Sequence, residues 1–459
     1  MPKIYTRIEQ AVDTLKNDLV AFIQQLVRVP TLPGEEGKVS QIIAAKLESL
    51  GLQVRHLPVH PETLHGHPAF CDDGFPYDNR SNVIGILKGC RPSKAPSLIL
   101  NGHTDVVSPG DEDLWSESPW SGKVMDGRIF GRGAADMKSG LATGIFALEA
   151  VRKSGLRLNG DLMIQCVAGE ETGGCGTLST IAAGYTADAA IIIEPTCLTI
   201  CPVQSGALSF RLIVKGKSVH ACMKNKGISA IEKFVPLFQA VETFNAERHR
   251  QFRNPLYPDP LNIAPTCINV VNSGDWPSTV PDKLVADGRF GVFPDEPVNA
   301  AKACFETMLE QAAKKDPWLR QHPPEIEWRE GQFEPGSTSL EAPVFKTIAA
   351  CHNRVMGEDP GMEGVTYGSD LRLFTNHARI PAVLYGPGNV LDAHTVNESI
   401  SIAEIMQATN ILALTICEWC DGREIVGSRE QKLVGAGLVP AYVKQNPRGK
   451  RSDLNIEKG

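Results

Sequence analysis

Apolar residues recur every three to four positions across residues 5–29 and across "EGKVSQIIAAKLESLG" (36–51), so both stretches are predicted helices, the second closed by Gly51. The period then changes. "NVIGILKG", "SLILNGHTDVV", "DLMIQCVAGEE" and "AAIIIEPT" are short, nearly continuous apolar runs that read as strands, and "KSGLATGIFALEAVRKSG", between the second and third, returns to helical spacing. Strands without a polar face, alternating with helix, imply a layered α/β domain whose sheet is covered on both sides.

Near residue 204 the pattern shifts again. "LSFRLIVKGKSVHA" alternates apolar and polar, as a half-exposed strand does, and the helix "GISAIEKFVPLFQAVETFNAER" follows. Two further strand-like runs, "PTCINVVNSG" and "KLVADGRFGVFP", precede the helix "EPVNAAKACFETMLEQAAKK". This order predicts a small α+β sandwich of the ferredoxin-like kind. After "DPWLRQHPPEIEWRE" the first character returns, with a helix at 342–356 and a strand in "RIPAVLYGPG". A second domain is therefore expected inside the first, entering near 204 and leaving near 325. The tail from 426 lacks periodicity, is locally basic, and reads as an extension.

Composition narrows the class. A chain of 459 residues exceeds one ordinary core. A formal net charge of −7 argues against nucleic acid or an anionic membrane as partner. No run reaches the roughly 18–20 apolar residues of a membrane span, and the charged start reads as an amphipathic helix, not a signal peptide. The twelve cysteines, mostly in apolar company, are expected as reduced thiols in a cytoplasmic protein. The lone Cys417-Glu418-Trp419-Cys420 spacing reads as two positions on a terminal helix.

The charges fall at the strand ends. His103 and Asp105 close one run, two positions apart. Asp136 sits in the turn "GRGAADMKSG" before a helix, Glu170 and Glu171 end the next strand, Glu194 another, and His394 lies in the later loop "DAHTVNESI". Ligands of open α/β sheets collect where the strands end. Two imidazoles and several carboxylates gathered there, with no recurring Lys or Arg beyond Lys138, call for a divalent cation. The donors outnumber one tetrahedral site and suit two ions about 3.5–4 Å apart. One of the paired glutamates can then bind metal while its neighbour acts as a base. Alone, each piece has a plainer reading: a capping HxD, a solvated "EE" turn, an ordinary glycine turn. "GRGAAD" lacks the third glycine of a dinucleotide loop. His56, His60, His65 and His67 lie in a Pro- and Gly-rich loop and are read as non-ligating.

In order, "HTD", "GAADMKSG", "GEETGG", "IIIEPT" and "AHTVNE" resemble the M20 family of metallopeptidases and deacylases, notably its acetylornithine deacetylase and succinyl-diaminopimelate desuccinylase branch, over roughly residues 17–420. The resemblance implies a layered α/β/α zinc-hydrolase domain (1–203 and 325–425), an inserted ferredoxin-like lid and dimerisation domain (204–324), and a C-terminal extension (426–459). It implies two divalent ions, zinc or else cobalt, with His103 and Glu194 on one, Glu171 and His394 on the other, and Asp136 between them. Asp105 would hold the far nitrogen of His103, and Glu170 would be the general base. "KGKSVHACMKNKGISAIEK" resembles the family's SxHA segment, so His220 would stabilise an oxyanion in the partner subunit of a homodimer. Arg289 would grip a substrate carboxylate, and the turns "YGSD" and "YGPG" would border the substrate. Departures at Ser278, Cys222 and 227–231 touch substrate contacts, not ligands. The expected activity is hydrolysis of a small N-acyl amino acid or similar acylated amine. A dipeptidase or carboxypeptidase would use the same centre, and a non-catalytic binding protein is the reading from another class.

Overall fold

The computed structural model describes residues 2–424; the expected extension, 426–459, lies outside them. The main sheet has nine strands. Its order is Gln53–Pro58, Ser81–Leu87, Leu162–Val167, Leu98–His103, Ala189–Ile192, Ala382–Leu384, Ile200–Gln204 and Gly336–Ser337, and Met362–Val365 pairs in parallel with Ile200–Gln204. The central four are mutually parallel.

Both faces of these strands are buried. Leu98, Leu100 and Ile191 join a core with Leu141, Ile145 and Leu412 from the helices Ser139–Lys153 and Ile402–Trp419. Ile99, Ala190 and Ile192 join the opposite core with Leu371, Phe374 and Leu384. This explains the uninterrupted apolar runs. Each large side chain buried this way contributes roughly 1.5–3 kcal/mol, and a one-residue slip would exchange the two cores, so register is firmly set. The helix Ser139–Lys153 rests directly on the sheet because Gly140 has no side chain: a Cβ there would meet the Ile193 carbonyl at 2.1 Å. The helices predicted at 5–29, 36–51 and 342–356 span Pro2–Val27, Gly37–Ser49 and Pro343–Met356.

The inserted segment folds as β-α-β-β-α-β. Its four-stranded antiparallel sheet runs Cys267–Ser273, Lys283–Val292, Gly206–Lys215, Glu325–Phe333, with the helices Ala230–Gln251 and Val298–Lys314 packed on it. This is the ferredoxin-like arrangement. Its core centres on Phe210, Phe290 and Phe305. Two details differ from the sequence reading. The first strand stops at Lys215, and Val219–His220 pairs separately with Thr279–Val280; a Cβ at Gly216 would meet the Ile228 carbonyl at 2.3 Å, so the chain turns there. The return to the main sheet also falls later than 325. Glu325–Phe333 is the edge strand of the small sheet, and the chain re-enters the main sheet at Gly336–Ser337. Among the described residues no helix is long and apolar enough to cross a membrane, and all twelve cysteines are free thiols.

Candidate active site

Strand register brings the site together. His103 pairs level with Val167, and Asn101 with Ile192, so Glu194, two residues beyond Ile192, emerges level with His103, and Glu170 follows from the adjacent strand. Ligand atoms of His103, Glu170 and Glu194 lie within 4.8 Å of one another, as do those of His103, Asp136 and Glu171. Asp136 stands between the two imidazoles: its Oδ1 is 3.0 Å from His103 Nε2 and its Oδ2 is 3.4 Å from His394 Nε2. Glu171 is 3.1 Å from His394 Nε2. His394 itself has φ +59°, a strained backbone for a non-glycine residue of the kind concentrated at functional sites.

The electrostatics show surplus negative charge. Burial first, then neighbouring acids, hold the carboxyls of Glu170 and Glu194 well above their usual range. Burial also raises Glu171, with Asp136 adding to it. His394 is pushed up to about 10 by its hydrogen bonds to Asp136 and Glu171. For His103 burial opposes charge, but the bond to Asp136 and the fields of Asp105 and Glu194 outweigh it, and the imidazole sits well above its ordinary value. Lys138 offers no relief. Its Nζ turns away to the carbonyls of Leu26 (3.1 Å) and Val29 (2.7 Å), capping the first helix, and burial pulls it down to about 7. Among the described residues no Lys or Arg pairs with these carboxylates, and buried carboxylates converging with imidazole nitrogens are a donor set that fits divalent metal.

Asp105 differs from expectation. Its backbone carbonyl, not its carboxylate, meets His103 Nδ1, at 2.9 Å. A carbonyl can only accept, so that contact fixes a proton on Nδ1, and Nε2, which faces Asp136, is the nitrogen that would turn its lone pair to a metal once its own proton is displaced. The carboxylate, 3.8 Å from Nδ1, instead accepts the backbone N–H groups of Glu170 (3.2 Å) and Glu171 (3.0 Å). The reason is local: the two strand ends are adjacent, and the turn after Val167 aims its amides at this acid.

Several supporting residues were not found in the sequence. Glu398 accepts from the backbone N–H of Ala135 (2.8 Å) and Asp136 (3.1 Å) while pairing with Arg132 at 2.6 Å; its only signal was its place four residues after His394. Arg372, fully buried, donates from Nη2 to the Gly173 carbonyl at 2.7 Å. Gly174, at φ +75°, leaves room for Asp370, whose Oδ1 a Cβ would meet at 2.4 Å. Arg80, buried against Glu36 (3.1 Å) and Asp73 (2.6 Å), joins the 60–80 loop to the same turn through the Thr172–Asp73 hydrogen bond.

His220 lies apart from this cluster, exposed on its short strand, with Nδ1 accepting from Cys222 N at 3.2 Å. Among the described residues Arg289 meets no carboxylate; its Nη2 donates to the Thr366 carbonyl, and its buried Nε has no partner there. In the histidine-rich loop, His67 packs on His377, with ring centroids 5.0 Å apart, and His65 packs on Phe70.

Comparison with known proteins gives a consistent picture. The pattern of Peptidase family M20/M25/M40 matches residues 99–418. A protein of Halalkalibacterium halodurans named N-formyl-4-amino-5-aminomethyl-2-methylpyrimidine deformylase is 33% identical over 441 residues, covering 90% of this chain and 97% of its own. The acetylornithine deacetylase of Proteus mirabilis is 26% identical, over 87% of this chain and 96% of its own. Among solved structures, the Saccharomyces cerevisiae dipeptidase Dug1p superposes with a TM-score of 0.73 at 16% identity, over 92% of this chain and 99% of its own, a likeness of fold.

Proposed function

This chain belongs to the M20 peptidase family, hydrolases that act on amide bonds, and from that membership we propose that it removes a formyl group from a primary amine carried on a small heteroaromatic ring. The end-to-end likeness to a pyrimidine deformylase carries the reading. It replaces an amino-acid amine with a ring amine. Arg289 then steadies the 366–372 wall through Thr366, with no substrate carboxylate required of it.

We assign His103 and Glu194 to one ion, Glu171 and His394 to the other, and Asp136 to both. Its two oxygens facing two imidazoles support that bridging place. Zinc suits the set, and cobalt is the expected substitute. When bound, two such ions polarise the amide carbonyl and acidify water. Glu170 takes the proton from the attacking water and returns it to the amine nitrogen as the C–N bond breaks, so formate and the free amine leave. Its place is held by Asp105 through the backbone of the turn, and the same residue's carbonyl keeps His103 in the productive tautomer.

The inserted domain serves as lid and dimer contact. Ile231, Val235 and Phe238 form an exposed apolar stripe on its first helix, and Val270 and Val271 are exposed on the edge strand. A homodimer through this face would cover the stripe and would let His220 act in the partner's site. The enzyme is assigned to the cytoplasm, consistent with its free thiols. The test is a substrate panel after chelation and resupply of zinc or cobalt: N-formyl aminomethylpyrimidine beside N-formyl, N-acetyl and N-succinyl amino acids and dipeptides. Metal-dependent turnover led by the pyrimidine amide supports the reading; preference for acyl amino acids or dipeptides refutes it.

A further inference from the structure

Among the buried polar atoms that lack a hydrogen-bond partner in the described residues is the hydroxyl of Tyr367, which stands within the field of Glu194, Asp136 and Glu170. It is shut off from solvent. The ring packs against the core that includes Leu371, Phe374 and Leu384, just past the strand Met362–Val365. Its turn is pinned on every side. Arg289 holds the Thr366 carbonyl, the Ser369 hydroxyl donates to Gln204 Oε1 at 2.5 Å, and a Cβ on Gly368 would meet Phe333 at 2.3 Å. The hydroxyl is therefore fixed where it is. Burial, Cys201 and then the carboxylates Glu194, Asp136 and Glu170 hold the phenol well above its ordinary range, so it keeps its proton and can only donate usefully.

A buried donor left unmatched costs about 1–3 kcal/mol, and none of the nearby carboxylates accepts from this one. The missing acceptor is thus expected to arrive with the ligand. An amide brings one strong acceptor to this crevice, its carbonyl oxygen, and that oxygen gains negative charge as the carbonyl is attacked.

We propose that Tyr367 is a catalytic hydroxyl that donates a hydrogen bond to the substrate's acyl oxygen from within the same chain. This rests on amide hydrolysis at the Glu170 crevice and is independent of the amine released. It adds a donor in cis to the one His220 would supply from the partner subunit.

Tyr367→Phe keeps the ring and removes only the hydroxyl. On metal-reconstituted enzyme, kcat for the N-formyl substrate is expected to fall roughly 10²-fold, the order seen for loss of one oxyanion donor. KM and metal content should stay near wild type, and Tm should hold or rise, since the unmatched donor is gone. Formate, the acyl product bearing the same oxygen, should bind several-fold more weakly by titration calorimetry. Retention of kcat within twofold, or loss of metal in step with activity, overturns the proposal. If the wild type ignores N-formyl amides, the substrate reading fails, while formate titration of both proteins still decides Tyr367: equal affinity, or no binding to either, overturns the donor role.

Discussion

Asp105→Asn separates two accounts of the same residue. Asparagine keeps the shape and the backbone carbonyl that meets His103 Nδ1 at 2.9 Å. It keeps one acceptor oxygen but replaces the other with an NH₂ group. In the native turn both oxygens are used, at 3.2 Å from Glu170 N and 3.0 Å from Glu171 N. One amide therefore loses its acceptor and faces a donor. A hydrogen bond to a charged group contributes about 1.5–3 kcal/mol, so the turn should loosen by that order. Displacement of the base by about 1 Å can cost on the order of 10²-fold in rate. The expected result is kcat lowered roughly 10- to 100-fold, with zinc affinity, measured by competition with a chromophoric chelator, within about threefold of wild type. If the carboxylate instead governed the imidazole, metal affinity would fall 10- to 100-fold, as for the usual partner of a ligating histidine. That outcome would refute the role assigned here.

Other substitutions probe other supports. Arg372→Met should lower kcat at least about tenfold by freeing the Gly173 carbonyl. Gly140→Leu should abolish metal binding or soluble expression, because its Cβ would drive into the Ile193 carbonyl beside Glu194. Asp316 pairs with Lys233 (2.8 Å) and accepts from Trp318 N (2.8 Å) and Leu319 N (3.0 Å), contacts that outweigh burial and hold its carboxyl below the usual range. A folded-state value below the unfolded one adds stability above about pH 4, lost as pH falls further. Asp316→Asn should thus unfold at lower denaturant than wild type at pH 7, and the gap should close toward pH 3.

The catalytic sheet was legible because strands buried on both faces leave continuous apolar runs, and charge at the end of such a run stands out. His103, Glu170, Glu171 and Glu194, whose ligand atoms the structure gathers, stood out that way. The small domain was legible from the alternation in Gly206–Lys215. Contacts made by backbone atoms carry no residue signature, which is why the carbonyl of Asp105 was missed and its carboxylate misdirected. Glu398 and Arg372 act on backbone amides and carbonyls from irregular turns, where no period marks an inward-facing side. The late return to the main sheet was hidden because Glu325–Phe333, an acid-rich edge strand without a continuous apolar run, still pairs with Gly206–Lys215 in the small sheet.

The central claim is that Glu170 moves the proton in a metal-dependent deformylation. Its most direct test is Glu170→Gln, reconstituted with zinc and assayed on N-formyl aminomethylpyrimidine beside wild type, with metal content measured on the same samples. The account predicts two ions bound in both proteins and turnover lowered roughly 10²–10⁴-fold in the variant. Full activity in a metal-replete variant would contradict it.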